Sequence, residues 1–367
     1  MRTDESAAPI DPVDPDTGND PMPEAETTAE DVGPESVTQR LTAAVSGSLI
    51  VSGSAAAALF LIAVRVTALQ YIAPVMLAVA GVGDLLMIGL AFLAILGWIL
   101  IATFASAPSA LRWLAVALIP WFAAAQIWWP VALGIVRPED PVAGREISVL
   151  TQNLWIRNTD PDALARRVMQ EGADVLVLTE FTARHEDAFR SAGAMDRYPY
   201  QVLATLNNPN GMAVLSRVPI ARHDRLGLSV PGLRIELSTP GGPLQLFAVH
   251  LPAPTKGPEI GRWRRDFTAL THDVCRAGNR TIVAGDFNAG AGHIPFRHLA
   301  SSCDVRDAND VAGGGFGTTW PLERILPPMI RLDHVMVTDG LGVSGIGVIP
   351  SSGSDHEGVR ADLTVPG

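Results

Sequence analysis

The chain has 367 residues, of which 48% are hydrophobic, a formal net charge of −11 and a mean hydropathy of +0.24, which is high for a soluble enzyme. A chain of this length is expected to contain two or more structural units. Residues 138–367 carry 22 Lys and Arg against 26 Asp and Glu, so composition disfavours a domain that binds duplex DNA through a basic stripe.

The first 42 residues are acidic and polar. They contain eleven Asp and Glu against Arg2 and Arg40, together with many Pro, Thr and Ala. A segment of this kind buries too little apolar surface to offset the entropy lost on folding. Residues 1–42 are therefore predicted to form a disordered acidic tail.

Three uncharged, apolar segments follow, at residues 43–64, 85–106 and 113–136. Each reaches the roughly 20 residues that a helix needs to cross a bilayer. The window at 66–83 is weaker, since it contains Thr67, Gln70 and Pro74, and it is interpreted as a loop or a half-buried helix. Core helices of a soluble domain are disfavoured, because too much apolar surface is concentrated here. Residues 43–137 are predicted to form three transmembrane helices.

The long acidic tail argues against a cleaved signal peptide, which would have a short basic start. Three spans place the tail in the cytoplasm and the remainder of the chain outside, whereas four spans place both inside. Arg40 and Arg112 fall on one side and Arg65 and Arg137 on the other, so the positive-inside rule decides little. We expect three spans, a multi-pass protein of the cell membrane, and an extracytoplasmic domain.

Residues 138–145 form a short acidic linker that contains Pro, and residues 146–367 are predicted to form a globular domain. Apolar, β-branched runs predict strands at 147–155, 174–180, 201–205, 212–216, 233–238, 244–250, 281–284, 332–337, 345–349 and 359–365. Helical spacing predicts helices at 161–171, 183–191 and 259–276. Many strands and few helices predict an α+β fold, a two-sheet β-sandwich flanked by helices.

The two cysteines, Cys275 and Cys303, are far apart in the sequence. Their spacing does not establish a disulfide. Burial as small apolar side chains is the favoured interpretation, because unpaired cysteine is among the most buried residue types. On this interpretation cysteine usage does not report the compartment.

Short polar motifs stand at the ends of apolar runs, in a fixed order along the domain. They are Thr151-Gln152-Asn153, Leu178-Thr179-Glu180, Val249-His250-Leu251, Gly285-Asp286-Phe287-Asn288, Arg331-Leu332-Asp333-His334 and Ser354-Asp355-His356. Strand ends present their side chains to a shared cleft. Carboxylate and amide oxygens gathered in this way suit a hard cation such as Mg²⁺ or Mn²⁺.

On these motifs, residues 146–365 resemble the endonuclease/exonuclease/phosphatase superfamily, which includes DNase I-like nucleases, neutral sphingomyelinases and inositol polyphosphate phosphatases. The order, strand context and spacing of the motifs over the whole domain are typical of this family. In overall layout the chain is most similar to its membrane-anchored bacterial members. The resemblance implies a DNase I-like fold and a divalent-metal-dependent phosphoesterase.

A phosphate ester resists attack because its oxygens are already negative, so catalysis consists of placing water and neutralising charge. Glu180 is predicted to be the principal metal ligand, and Asn153 to hold the metal or a phosphate oxygen. Asp286 is expected to orient or deprotonate the attacking water, and Asn288 to contact a phosphate oxygen. Each of these residues could instead be an ordinary strand-end or turn residue without a catalytic role. The presence of all the motifs in one domain disfavours that interpretation.

His356 is expected to contact the phosphate as charge builds. In the family that this domain resembles, an earlier Asp fixes the corresponding imidazole, and Asp333 matches that position. Asp355 is expected to add a carboxylate to the metal site. His250 matches the family's second phosphate-contacting histidine, and His334 is given no role.

Other polar features carry less weight. Arg262, Arg264 and Arg265 either hold a substrate phosphate or form a solvated helix face, and the two interpretations are equally favoured. The glycine-rich residues 313–317 lack the context of a phosphate-binding loop and are predicted to form a mobile substrate loop. Four histidines without metal-ligand spacing are expected at the surface: His223, His272, His293 and His298.

The sequence thus predicts a membrane-anchored, metal-dependent phosphoesterase. The bilayer is its expected partner, and a phospholipid or lipid-linked phosphate is favoured as substrate over nucleic acid, because the domain is anchored and not basic. A DNase I-like nuclease is the first alternative, and a catalytically inactive binding module is the second, although the filled polar positions argue against it. The bond cleaved, the number of metal ions and the oligomeric state are left open.

Overall fold

The structure, a computed structural model, describes residues 34–72, 74–104, 110, 112–114, 116, 118, 142–322 and 327–367. The described residues form a pair of long helices and a globular domain with two β-sheets. Most of the predicted acidic tail, most of the predicted third span and the first half of the linker lie outside the described residues.

Two long apolar helices precede the domain. Helix α1 spans Pro34–Val66 and helix α2 spans Pro74–Phe104, with a 3₁₀ helix at Ala68–Tyr71 between them. The side chain of Thr67 caps this 3₁₀ helix by accepting a hydrogen bond from the Leu69 backbone N–H. The window at 66–83 therefore divides into a short turn and the first part of α2, and α1 begins within the segment predicted as tail.

The apolar segments of these helices are long enough to cross a membrane. An 18-residue window within Val37–Arg65 has a mean hydropathy of 2.1, and one within Gly81–Thr103 has a mean hydropathy of 2.7. By themselves these values are weak grounds for a membrane span, since the core helix of a soluble protein or a signal sequence meets the same criteria.

Small residues bring α1 and α2 close together. A Cβ atom built on Gly47 would lie 2.7 Å from the carbonyl oxygen of Gly97, so only glycine fits at this crossing. Elsewhere on the pair large apolar side chains face outward, and Leu49 and Phe92 are 67% and 70% exposed. Close small-residue contacts and an apolar outer surface are typical of helices that pack in lipid.

The domain is built from twelve strands and six helices within the described residues. The strands are β1 Arg145–Asn153, β2 Val175–Thr179, β3 Tyr200–Ala204, β4 Met212–Ser216, β5 Ile220–Arg225, β6 Leu233–Thr239, β7 Gly242–His250, β8 Thr281–Asp286, β9 Val305–Asp307, β10 Asp333–Thr338, β11 Gly342–Ile349 and β12 Gly358–Val365. The helices are α3 Pro161–Glu171, α4 Ala183–Ser191, α5 Ala194–Arg197, α6 Gly257–Cys275, α7 Ile294–Ser302 and α8 Ala308–Val311.

The strands form two six-stranded sheets of matching design. The first has the order β11-β12-β1-β2-β4-β3 and the second the order β5-β6-β7-β8-β10-β9. One central pair in each sheet is parallel, β1 with β2 and β7 with β8, while the other pairs are antiparallel. Each sheet therefore has two neighbouring strands that end at the same edge.

The core lies between the sheets. Val149 and Val177 of the first sheet and Leu246 and Ile282 of the second belong to one buried apolar cluster. The outer face of the first sheet packs on α3 and α4, and that of the second packs on α6 and α7. Both faces of the central strands are buried, so these strands read as continuous apolar runs. The predicted α+β sandwich of two sheets flanked by helices is confirmed.

Several elements were not predicted from the sequence, β5 and α7 among them. Strand β5 lies at a sheet edge and five of its six residues are exposed, so it lacks the apolar alternation that identifies a strand. Helix α7 is only nine residues long and starts at Ile294-Pro295. Its buried contacts, through Phe296 and Leu299, are set by the tertiary fold.

The prediction that the two cysteines are unpaired is wrong. Cys275 at the end of α6 and Cys303 just after α7 form a disulfide, with their Cα atoms 4.5 Å apart. The bond links the carboxyl ends of two helices that pack side by side on the second sheet. Their proximity depends on helix packing across 28 residues of sequence, which the spacing of the cysteines does not reveal.

Replacing both cysteines with serine is expected to destabilise the protein. Closing a loop of this size removes entropy from the unfolded chain, an effect of about 3–4 kcal/mol in the loop-entropy model. Urea unfolding of the full-length chain, followed by tryptophan fluorescence, should show this loss for Cys275→Ser/Cys303→Ser, and reduction of the wild-type protein should reproduce it. Equal unfolding free energies for variant and wild type would contradict the expectation.

Candidate active site

The strand register places polar side chains at one edge of each sheet. In the first sheet β1 pairs Asn153 with Thr179 of β2, so Asn153 and Glu180 emerge at neighbouring carboxyl ends. In the second sheet β7 pairs His250 with Asp286 of β8. Antiparallel β10 begins at this same edge, because Asp333 pairs with Asp286.

The two edges meet through the side-chain amide of Asn153. Its Nδ2 lies 2.9 Å from Oδ2 of Asp286 in the second sheet and 3.3 Å from Oε1 of Glu180 in the first. The amide oxygen accepts a hydrogen bond from the backbone N–H of Trp155 at 2.9 Å. The other oxygen of Glu180 accepts from the backbone N–H of Ile156 at 2.7 Å. Asn153 thus separates two carboxylates that would otherwise repel each other.

Several residues that line the cavity have a left-handed backbone conformation, which sets the direction of their side chains. Trp155, Glu180 and Asn288 have φ values of 55°, 55° and 46°, a region that residues other than glycine rarely adopt. The backbone N–H of Asn288 donates to Oδ1 of Asp286 at 2.8 Å, and its side-chain amide donates to the carbonyl of Leu251 at 2.8 Å. Strain of this kind persists where the surrounding contacts hold it, and it is common at functional sites.

A buried carboxylate holds the imidazole of His356. Nδ1 of His356 lies 2.7 Å from Oδ2 of Asp333, and Nε2 lies 3.9 Å from Oδ2 of Asp286. Burial by itself lowers the pKa of His356, but the charges of Asp333 and Asp286 outweigh it and raise the pKa to about 10. His356 is therefore a cation at neutral pH, directed toward Asp286.

His250 and Asp355 complete the polar surface. Nε2 of His250 lies 3.8 Å from Oδ2 of Asp286. One oxygen of Asp355 lies 3.4 Å from the indole N–H of Trp320, while the other, Oδ1, is buried without a hydrogen-bond partner among the described residues. Burial raises the pKa of Asp355, and the charge of Glu180 acts in the same direction, although His356 opposes both. Asp355 and Glu180 are therefore close enough for their negative charges to interact.

All eight residues predicted for the site come together. A cavity of about 820 Å³ is lined by Asn153, Glu180, His250, Asp286, Asn288, Asp355 and His356. The eighth residue, Asp333, is fully buried behind His356 and is not among the residues that line the cavity. The sequence motifs therefore define a single place in the fold.

The donor set fits a divalent metal ion. Carboxylates of Glu180, Asp286 and Asp355 face the cavity, and the unpaired buried oxygen of Asp355 is costly unless a cation compensates it. A tighter group of candidate ligand atoms, from Asp286, Asp333 and His356, lies within 4.8 Å of one another. In that group Asp333 and His356 are already hydrogen-bonded to each other, so the oxygens of Glu180, Asn153 and Asp355 suit a hard cation better.

Further residues at the cavity were not recognised from the sequence. His293, expected at the surface, is only 4% exposed and lines the cavity, whereas His223, His272 and His298 are exposed as expected. Arg262 also lines the cavity, which favours the interpretation of this arginine as a phosphate contact, while its neighbours Arg264 and Arg265 line a different cavity.

Buried polar contacts support the site from behind. Ser354 donates through Oγ to the carbonyl of Asn153 at 2.7 Å, and Gln152 donates to the carbonyl of His356 at 3.1 Å. His334, which has no predicted role, is buried between Asp307 and the Ala289 carbonyl, at 2.6 and 2.8 Å. These contacts fix the backbone positions of the residues that face the cavity.

The family of the chain follows from comparison with known proteins. A model of the Endonuclease/Exonuclease/phosphatase family matches residues 150–356, more than half of the chain, and the chain belongs to this family. Its members are hydrolases that act on phosphoesters and use divalent metal ions. No curated protein matches the chain.

Solved structures share the fold at low identity. A structure of D. rerio TDP2 complexed with a single-strand DNA product is 15% identical, with a TM-score of 0.51, and covers 60% of this chain and 99% of its own. An endonuclease/exonuclease/phosphatase from Beutenbergia cavernae is 19% identical, with a TM-score of 0.48 and coverage of 61% and 72%. Sphingomyelinase C from Streptomyces griseocarneus is 19% identical, with a TM-score of 0.45 and coverage of 59% and 99%.

Gly285 is required by the close approach of β7 and β8. It has a φ of +145°, and a Cβ atom there would overlap the carbonyl oxygen of Val249. Gly285→Ala is expected to lower the free energy of unfolding by about 3 kcal/mol or more, through steric overlap and backbone strain. Gly347→Ala in β11 is the matched control, because a Cβ atom built there has no neighbouring atom within 4 Å. Equal thermal unfolding of the two variants would contradict this assignment.

Proposed function

We propose that the chain is a membrane-anchored phosphoesterase that depends on Mg²⁺ or Mn²⁺. The proposal is carried by one observation, the convergence of carboxylates, amides and imidazoles from the ends of both sheets on a single cavity. The chain belongs to a family of phosphoester hydrolases. The polar residues predicted from the motifs lie at this cavity or, for Asp333, directly behind it. This argues against an inactive binding module.

Asn153, Glu180 and Asp355 are the residues proposed to hold the metal. When bound there, the ion would neutralise negative charge that develops on the phosphate during attack. The oxygen ligands match the preference of Mg²⁺. The buried, unpaired oxygen of Asp355 supports this assignment, because it has no hydrogen-bond donor from the described residues.

Asp286 is proposed to orient the attacking water and to take its proton. Its two oxygens are already fixed by hydrogen bonds from Asn153 and from the backbone of Asn288, so the carboxylate cannot rotate away. A base held in this way loses little entropy when it binds water. Asn288 is proposed to contact a phosphate oxygen from the adjacent wall of the cavity.

Two imidazoles are proposed to bind the phosphate. His356 is held by Asp333 and carries a positive charge, so its Nε2–H is a donor suited to an anionic oxygen. His250, whose Nε2 lies 3.8 Å from Oδ2 of Asp286, is proposed as a second donor. Donors that are fixed before the reaction stabilise developing charge without reorganisation.

A phospholipid or lipid-linked phosphate is the proposed substrate class. The domain has 22 basic against 26 acidic residues over 138–367, which is unfavourable for a backbone-binding nuclease. The two apolar helices would keep the cavity close to a bilayer. The Cys275–Cys303 disulfide supports a domain on the oxidising, extracytoplasmic face of the membrane, because such bonds are rare in the cytosol.

The substrate is tested by comparing three kinds of phosphoester with the full-length chain. Phospholipid vesicles, single-stranded and plasmid DNA, and a soluble aryl phosphodiester are each incubated with Mg²⁺, with Mn²⁺ and with excess chelator. We expect metal-dependent release of a head group or phosphate from the vesicles. Efficient cleavage of DNA with no lipid hydrolysis would contradict the lipid proposal and would identify a nuclease.

Neutralising single carboxylates in the site should strongly reduce turnover. Glu180→Gln and Asp286→Asn are each expected to lower kcat by a factor on the order of 100 or more, because metal binding or proton abstraction is lost. Asp224→Asn on the exposed edge strand β5 is the matched control and should retain full activity. If wild type and variants are equally inert with every substrate and metal, the binding-module alternative gains and the enzymatic proposal fails.

A further inference from the structure

The turn between α1 and α2 is docked on the globular domain by a buried glutamine. Gln70 is fully buried, and its side-chain oxygen accepts a hydrogen bond from the backbone N–H of Ile294, the first residue of α7, at 3.0 Å. Its Nε2 lies 3.3 Å from the carbonyl of Arg65 at the end of α1. Arg297 of α7 also donates to this carbonyl. A buried polar group with every partner satisfied fixes one geometry.

An aromatic contact reinforces the docking. The guanidinium of Arg264 on α6 lies over the ring of Tyr71, 4.2 Å from its centroid. Tyr71 also packs on the apolar cluster beneath α6 and α7. Two apolar side chains of the same turn remain outward, since Leu69 is 38% exposed and Ile72 is 73% exposed. One side of the turn thus binds the domain, and the other presents apolar surface.

Helix α2 then runs past the wall of the active-site cavity. A Cβ atom built on Gly81 would lie 3.3 Å from Cε1 of His293 and 3.3 Å from Cδ1 of Ile330. Both of these residues line the cavity. The start of the second apolar segment is therefore separated from the cavity by single side chains.

The position of Gly81 along α2 indicates how far the cavity wall lies from the hydrocarbon core of the bilayer. The uncharged segment predicted to cross the membrane begins four residues later, at Leu85, which corresponds to about 6 Å along a helix. The headgroup layer on each side of a bilayer is roughly 5–8 Å thick. Helix α1 indicates a similar distance between the domain and the hydrocarbon core. Its predicted span ends at residue 64, and the carbonyl of the next residue, Arg65, accepts a hydrogen bond from Arg297 of the domain. Both helices therefore place the junction within the headgroup layer.

We propose that the α1–α2 turn holds the mouth of the active-site cavity at the level of the phosphate groups of the bilayer, so that the substrate is a phospholipid still embedded in the membrane. The inference rests on the proposed phosphoesterase function and names the state in which its substrate is presented. It also requires the turn and the domain to lie on one face of the membrane. This arrangement agrees with the three spans expected from the sequence, of which the third lies mostly outside the described residues.

The charge around the junction agrees with this placement. Arg264, Arg265 and His298 line a second cavity of about 410 Å³, together with Tyr71 of the turn. Both arginines are exposed. Basic side chains at the surface of a bilayer are attracted to anionic headgroups, so this face of α6 and α7 would lie against the membrane.

Two variants loosen the junction without touching the catalytic residues. Gln70→Ala removes the hydrogen bond to Ile294, and Gly81→Leu introduces a side chain where a Cβ already meets His293 and Ile330. Gly83→Leu is the matched control, because a Cβ atom built on Gly83 meets nothing within 4 Å. The full-length chain is reconstituted in mixed phosphatidylcholine and phosphatidylglycerol vesicles, and bis(p-nitrophenyl) phosphate serves as the soluble substrate.

We expect Gln70→Ala and Gly81→Leu to lower hydrolysis of the vesicle phospholipid at least ten-fold while leaving hydrolysis of the soluble ester unchanged. Gly83→Leu should match the wild type on both substrates. Equal loss on both substrates, or loss on neither, would overturn the inference while the proposed function stands. Failure of the wild type on both substrates would instead overturn the proposed function.

Reporter fusions test the membrane arrangement independently. Alkaline phosphatase fused after residue 72, 104 or 142 is active only when it is exported. The inference predicts the same outcome at 72 and 142 and the opposite outcome at 104. Different outcomes at 72 and 142 would overturn it, whichever face carries the domain.

Discussion

The site depends on one side-chain amide that joins the two sheets. Asn153 ends a strand of the first sheet, yet its Nδ2 donates to Asp286 in the second sheet as well as to Glu180 beside it. Two carboxylates can be kept this close only if donors lie between and around them. Hydrogen bonds from the backbone of Trp155 and the side chain of Ser354 fix Asn153 itself. The relative position of the two sheets therefore determines the spacing of the residues that line the cavity.

The remaining polar contacts follow from the need to compensate buried charge. Asp333 is fully buried, and His356 provides its counter-charge at 2.7 Å. The same imidazole faces Asp286, so one cation serves carboxylates of two strands. Asp355 keeps an oxygen unpaired among the described residues, which leaves the cavity short of positive charge. A divalent cation would offset much of this negative charge.

Much of the site was readable from the sequence because the strands that carry it are buried on both faces. Their continuous apolar runs located the carboxyl ends at Asn153, Glu180, His250 and Asp286. Features set by tertiary packing were not readable. The disulfide depends on how α6 and α7 pack, the edge strand β5 has no apolar pattern, and His293 is buried at a cavity wall that α2 also contacts. The local pattern of apolar residues predicts the strands and where they end. It does not predict which helix, distant in sequence, packs against them.

The central claim is that Asn153, Glu180 and Asp355 hold a divalent metal ion in this cavity, and binding of Mn²⁺ to the full-length chain tests it most directly. Electron paramagnetic resonance of Mn²⁺ titrated into wild type, Glu180→Gln and Asp355→Asn measures the bound ion without any substrate. The account predicts Mn²⁺ binding by the wild type that is at least ten-fold weaker in both variants. Unchanged Mn²⁺ binding in both variants would contradict it.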